Sequence, residues 1–252
     1  MADALLWGLV QGLTEFLPIS SSGHLVLVPA LLDRAGPDLA TSAVLHLGTL
    51  AAVVAYYRRD VVKIVRFNEE GRFILKLLVI GTIPAAVLGL LLQGPLDRMN
   101  ETPRAVAVAL MVTGIILIGS RFITIRHRVL EDSTIPDAVL IGIGQATALI
   151  PGVSRSGMTI TTALTREFGP IESARYSFLL GIPAIAGAGF LQLFDLGSEP
   201  GGVPGELWLG VAAAAISGYL AITVLVRLIT RIGLAPFGVY CVVAGAIALA
   251  LV

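Results

Sequence analysis

Residues 8–24 read GLVQGLTEFLPISSSGH, and residues 142–158 read GIGQATALIPGVSRSGM. Aligned without a gap, Gln11 meets Gln145, Ser20 meets Ser154, Ser22 meets Ser156 and Gly23 meets Gly157. Each stretch is an apolar run, a break made of Pro, Ser and Gly, and a second apolar run. The copies differ in their chemistry. Glu15 and His24 occur only in the first, while Arg155 occurs only in the second, opposite Ser21. A duplicated framework that divides an acid, a base and a cation between its halves predicts one composite site.

The composition sets the solvent. Hydrophobic residues make up 56% of the 252, charged residues 13%, and the mean hydropathy is +0.90. A soluble domain carries about 25% charge, so the chain reads as an integral membrane protein forming a single membrane domain, 1–252. Lys plus Arg and Asp plus Glu balance at 17 each, which leaves no basic field for nucleic acid. The single Cys241 excludes an internal disulfide. The N-terminal segment carries Asp3 and no basic residue before its apolar run, which reads as mature structure rather than a signal peptide.

Apolar runs long enough to cross a bilayer fall near 38–57, 73–93, 104–121, 172–194, 206–226 and 233–252. Two further stretches, about 4–33 and 135–168, each hold two shorter apolar pieces around a polar break. Basic residues cluster at 58–76, at 121–128, at Arg166 and Arg175, and at Arg227 and Arg231, whereas 195–206 (DLGSEPGGVPGE) carries acids and no base. By the positive-inside rule, stretch 135–168 starts and ends on the cytoplasmic side, and stretch 4–33 starts and ends on the other. Both are therefore expected to be re-entrant hairpins. One Pro-kinked helix would put the basic loops on conflicting sides, and a pair of short tilted spans is the other reading of each stretch. The expected fold is all-α and polytopic, with about six spanning helices and two re-entrant helical hairpins. A hairpin plus three spans makes each half odd, so the repeats, 1–121 and 134–252, have inverted topology, with a site at their interface. Pro84 and Pro183 fall inside spans and are expected to kink them around the hairpins.

Non-helical backbone at membrane depth persists only where it lines a polar cavity or is buried in protein. The breaks PISSSGH (18–24) and PGVSRSG (151–157) fit that condition. Their serines can cap the following half-helices, whose free amides favour an anion. Arg155 at this depth costs about 2.5–3.5 kcal/mol on the insertion scale, so it needs a partner or a task. A phosphate or carboxylate suits its planar fork, and a buried pair with Glu15 is the other reading. Gln11 and Glu15 stand four residues apart on one helical face. They can hold a divalent cation with help from substrate oxygens, while an interhelical hydrogen bond accounts equally well for Gln11. Glu15 and His24 form the one acid/base pair of the apolar core. His46 belongs to the next span, where packing is the favoured role although the cavity is close. His127 reads as solvated. The small-residue run GVAAAAISG (210–218) can pack within the bundle or across a homodimer.

At these residues the chain resembles the bacterial undecaprenyl-pyrophosphate phosphatase family, the type associated with bacitracin resistance. The likeness runs nearly end to end. It rests on QGLTEFLPISSSGH, with the Glu/Gln-x-x-x-Glu pattern at Gln11 and Glu15, on PGVSRSGMT (151–159), GTIPAAVLGLL (81–91), YSFLLGIPA (176–184) and PFGVY (236–240). The resemblance implies a multi-pass enzyme of the bacterial plasma membrane whose site faces the outer side. It would remove the terminal phosphate of a C55 isoprenyl pyrophosphate, with Mg2+ or Ca2+ as cofactor and membrane lipids around it. Glu15, Ser21, His24 and Arg155 become the catalytic candidates. Ser20, Ser22, Gly23, Ser154, Ser156, Gly157 and Thr159 become candidates for substrate binding, and Gln11 with Glu15 for metal. Gln11 stands where the pattern often has Glu, and His46 where many relatives carry Gln. Ser21, His24 or an activated water remain open as the attacking group. The rival class is a carrier or flippase that binds a phosphorylated lipid without cleaving it.

Overall fold

A computed structural model describes residues 1–198 and 203–252. Residues 199–202 of the acidic segment lie outside the described residues. The protein is built from α-helices and two 3-10 turns, with no paired sheet among the described residues.

The first repeated stretch forms α1 (Ala2–Phe16) and α2 (Ser21–Leu31), packed on each other around the Pro-Ser break. The second forms α7 (Ile135–Thr147) and α8 (Arg155–Thr165) in the same way. Between them lie α3 (Leu39–Tyr56), α4 (Arg58–Val65), α5 (Glu69–Asn100) and α6 (Pro103–Gly119). After them come α9 (Pro170–Ser198), α10 (Leu207–Ile232) and α11 (Ala235–Leu251).

Among the described residues, four helices are long and apolar enough to cross a membrane: Glu69–Leu96, Pro103–Phe122, Pro170–Phe194 and Leu207–Ile232. The pair α3 and α4, bent by 88° at Tyr57, is a fifth candidate if it counts as one span. The bend has a local cause. Arg58, Arg59 and Asp60 follow an apolar helix directly, and a charged run cannot continue into hydrocarbon. At seventeen residues α11 sits at the lower limit for spanning. Pro84 and Pro183 lie inside the uninterrupted helices α5 and α9. Leu90 and Leu91 on α5 are 80% and 72% exposed, and Ile216 on α10 is 67% exposed. Such outward faces suit a protein whose solvent is lipid.

Each hairpin packs against a helix of the other half: α1 on α10, and α7 on α5. The shared centre is α3 against α9, with α6 against α11 on one flank. Phe16 of α1 meets Phe178 of α9 edge to face at 5.2 Å, in the largest apolar cluster.

Ion pairs close the open ends of both hairpins. Asp137, in the first turn of α7, accepts from Arg166 Nε at 2.8 Å and Arg128 Nη2 at 2.6 Å. Thr134 caps the same turn with a reciprocal bond to Asp137. At the first hairpin, Asp3 lies 3.6 Å from Arg34 on the surface. Asp3 and Asp137 occupy equivalent positions in the repeat alignment. A second network, Arg175 with Asp60, Glu131 and Glu172, ties α4 and the loop before α7 to the start of α9.

Candidate active site

The two breaks meet inside the bundle. Ser20 caps α2 by accepting from Gly23 N at 3.2 Å, and Ser154 caps α8 by accepting from Gly157 N at 3.1 Å. Each tip also reaches across to the other. Ser22 Oγ accepts from Gly152 N at 3.5 Å, and Ser156 Oγ donates to Leu17 O at 3.2 Å. Both turns need one left-handed residue, but in different places. In the first it is Ser20, φ 67°, a strained conformation for a residue with a Cβ. In the second it is Gly152, φ 93°, where a Cβ would sit 2.3 Å from Val106 O.

Glu15, buried near the end of α1, is the hub of the polar contacts. Its Oε1 accepts from Arg155 Nη2 at 2.6 Å. Its Oε2 accepts from Ser21 Oγ at 2.5 Å and from Gln11 Nε2 at 3.1 Å. His46 Nε2, on α3, lies 3.5 Å from the same Oε2. Nδ1 of His46 donates to Ser42 O at 2.7 Å, which fixes the ring so that Nε2 faces the carboxylate. Arg155 also donates from Nη1 to Ser177 O of α9 at 3.2 Å. A Cβ at Gly181, one turn further on, would lie 2.0 Å from that Nη1. The glycine makes room for the guanidinium.

These groups line a cavity of about 340 Å3. Glu15, Ser20, Ser21, Ser22, Ser154 and Arg155 form its polar wall, with Ser42 and His46 at the start of α3. Ala148, Val153 and, on α9, Ala184, Ile185 and Ala188 form an apolar wall. One side therefore suits a charged group and the other a hydrocarbon chain.

The remaining sequence candidates stand behind this surface. His24 Nδ1 donates to Ser20 O at 2.8 Å, so in the neutral ring Nε2 accepts from Tyr240 OH at 2.7 Å. The two rings stack with 6° between their planes. His24 is thus engaged by α11 and is not among the cavity residues. Thr159 bonds to Ser177 Oγ at 2.6 Å and supports the seat of Arg155 from below. Ser156, Gly23 and Gly157 shape the caps. Ser177, Gly181 and Tyr240 lie in YSFLLGIPA and PFGVY, where nothing local to the sequence marks them as part of the site.

Gln11 and Glu15 do not by themselves fit a resident divalent cation. There is one carboxylate, and both its oxygens are taken by donors. Gln11 Oε1 is buried without a partner, so a single amide oxygen is what remains. Among the described residues no three His, Cys, Asp or Glu side chains gather as metal ligands.

Residues 4–247 match the family model described as bacitracin resistance protein BacA. A protein of Alcanivorax borkumensis named undecaprenyl-diphosphatase is 41% identical over 254 residues, covering 96% of each chain. One of Thermomicrobium roseum with the same name is 41% identical over 272 residues, 99% of this chain and 97% of the relative. A Geobacter sulfurreducens relative, also so named, is 39% identical over 259 residues. With a cavity built from the very motifs that match, this chain belongs to the BacA, or undecaprenyl-diphosphatase, family.

Proposed function

We infer that this multi-pass membrane protein is an undecaprenyl-diphosphate phosphatase, hydrolysing the lipid pyrophosphate to the monophosphate and inorganic phosphate. Full-length relatives of that name support the activity. The observation that carries the mechanism is the Ser21–Glu15–Arg155 constellation, in which a hydroxyl, a carboxylate and a guanidinium face one cavity. The pyrophosphate would occupy the polar wall and the isoprenoid chain the apolar wall, leaving between helices.

The substrate's phosphates draw Arg155 towards themselves. This frees Glu15 Oε1 and leaves the carboxylate to take the proton of Ser21. Ser21 Oγ then bonds to the distal phosphorus while the bridging P–O bond breaks, and the lipid monophosphate departs. Arg155 and the capped half-helix amides stabilise the charge on the transferring group. Water attacks the phosphoserine, releases inorganic phosphate and restores the hydroxyl. His24, held by Tyr240, fixes the first turn of α2 and with it the aim of Ser21. His46 contributes the ring nitrogen Nε2 at the cavity wall. Were a divalent cation used, this chain would offer it the Gln11 amide oxygen, and charge neutralisation is what it would supply.

Two arrangements support an inverted repeat of 1–121 and 134–252. Each hairpin packs on a helix of the other half, and an Asp–Arg pair joins the outer ends of each. An outward-facing site is supported by Ser42 and Ala43 in the cavity lining, near the end of α3 remote from Arg58. Release of phosphate from C55 pyrophosphate by purified protein tests the reading. Wild type should release it, and Ser21→Ala and Arg155→Ala should not. Folded wild type that binds the lipid without cleaving it would transfer the case to the carrier.

A further inference from the structure

A second cavity, of about 270 Å3, lies at the other end of the bundle. The 3-10 turn Ser120–Phe122, the junction of α8 and α9 at Leu164 and Pro170, and the elbow between α10 and α11 enclose it. Pro170 here and Ala184 at the first cavity stand fourteen residues apart on α9, roughly 20 Å at the rise of a helix. The two cavities are separate.

Arg121 and Arg231 both line this second cavity. Arg128, Arg155, Arg166 and Arg175 each have a carboxylate partner. Arg121 and Arg231 form no ion pair among the described residues. Arg121 is nonetheless placed, with its guanidinium carbon 4.7 Å over the Phe122 ring. The hydroxyls of Ser120 and Thr230 border the same space. Helix α11 starts there without a side-chain cap, so the free amides of Ala235 and Phe237 add to the positive field, Pro236 having none. Ile123, Ile125, Ile229 and Leu234 supply the other walls. Two unpaired cations beside an apolar rim, at the basic end of a membrane bundle, match the charge and amphiphilicity of a phospholipid headgroup. The space falls just below the roughly 300–1,000 Å3 of pockets that enclose a whole ligand. It holds a headgroup and leaves the chains outside.

We propose that the cavity between Arg121 and Arg231 is a binding site for a phosphate group that carries no ammonium counter-charge of its own, from an anionic phospholipid or from free phosphate. The two guanidiniums would each take a phosphate oxygen in a charge-assisted bond.

The test is native mass spectrometry of the full chain in detergent. It compares phosphatidylglycerol with phosphatidylcholine of the same acyl chains, and repeats the first with inorganic phosphate added. Wild type should retain phosphatidylglycerol selectively. Arg121→Gln/Arg231→Gln should weaken retention about tenfold or more through loss of two charge-assisted hydrogen bonds to the phosphate. Arg58→Gln/Arg59→Gln, an equal loss of charge outside the cavity, should leave it unchanged. Thr230→Leu, which fills the space without changing charge, should also lose the lipid, and serves if the double variant does not fold. Displacement by inorganic phosphate would identify free phosphate as a second source; resistance would identify the headgroup as the ligand. Equal retention of both lipids, or an equal loss in the Arg58/Arg59 variant, would overturn the proposal.

Discussion

Glu15 Oε1 and Arg155 Nη2 meet at 2.6 Å, 140 residues apart in sequence and on opposite hairpins. Each is the other's compensation for being buried. Removing one partner strands the other, which costs about 3–5 kcal/mol. Glu15→Gln and Arg155→Met should therefore each lower the melting temperature in detergent. The double variant should melt above either single one yet release no phosphate. A double variant as unstable as the singles would show that the pair does not account for the loss.

Ser21 and His24 share α2 but face different partners. Ser21→Ala should cut phosphate release by about 10^3-fold or more, as expected when a covalent nucleophile is lost. Tyr240→Phe removes the hydroxyl on His24 and should cost far less, with kcat falling and the KM for the lipid unchanged. Rapid quenching with a labelled terminal phosphate should leave label on residue 21. Label on residue 24 would reverse the two roles.

Gly181 tests the seat of Arg155 from the other side. Alanine within a helix is otherwise favourable by about 0.8–1 kcal/mol over glycine. The new methyl would nevertheless meet the Arg155 guanidinium. Gly181→Ala should lower the melting temperature, because unseating Arg155 from buried Glu15 outweighs the helix gain, and phosphate release should collapse. Retained activity would mean that Arg155 has another seat.

The two hairpin-closing pairs should differ sharply in weight. The Asp137 side chain is fully buried between Arg128 and Arg166, whereas those of Asp3 and Arg34 are more than half exposed. Asp137→Asn should destabilise by about 3–5 kcal/mol. Asp3→Asn should change stability by about 0–1 kcal/mol. Melting curves in detergent compare the two directly.

Chelation should separate folding from chemistry. If a cation enters with the pyrophosphate, EDTA should leave the melting temperature of the substrate-free protein unchanged and suppress phosphate release. A substrate-free protein that melts earlier in EDTA would point to a resident ion.

The repeated motif made much of this legible. Ser20, Ser154 and the Pro-Gly breaks are local signals, because a cap needs only its own turn. The Glu15–Arg155 pair was readable because a buried Arg must find an anion, and few existed. His46 was read as packing, for nothing in AVLHLGTL tells which helix face meets the cavity. Its place depends on how α3 crosses α1. Tyr240, Ser177 and Gly181 were invisible for the same reason. Each acts through a neighbour far away in sequence. The span read near 38–57 matches α3, and the 88° turn at Tyr57 falls at its end. Hydropathy averages over a window, and the charged run that forces the turn falls just beyond its edge.

A carboxylate resting on Arg155 is a competitor that the protein carries with it. An anion that grips a guanidinium less firmly than Glu15 leaves the pair intact and Ser21 with its proton. A pyrophosphate, with several oxygens to offer at once, displaces the competitor and in the same act releases the base. Admission and activation would then be a single event, and a weakly held anion would be refused without any gate to shut.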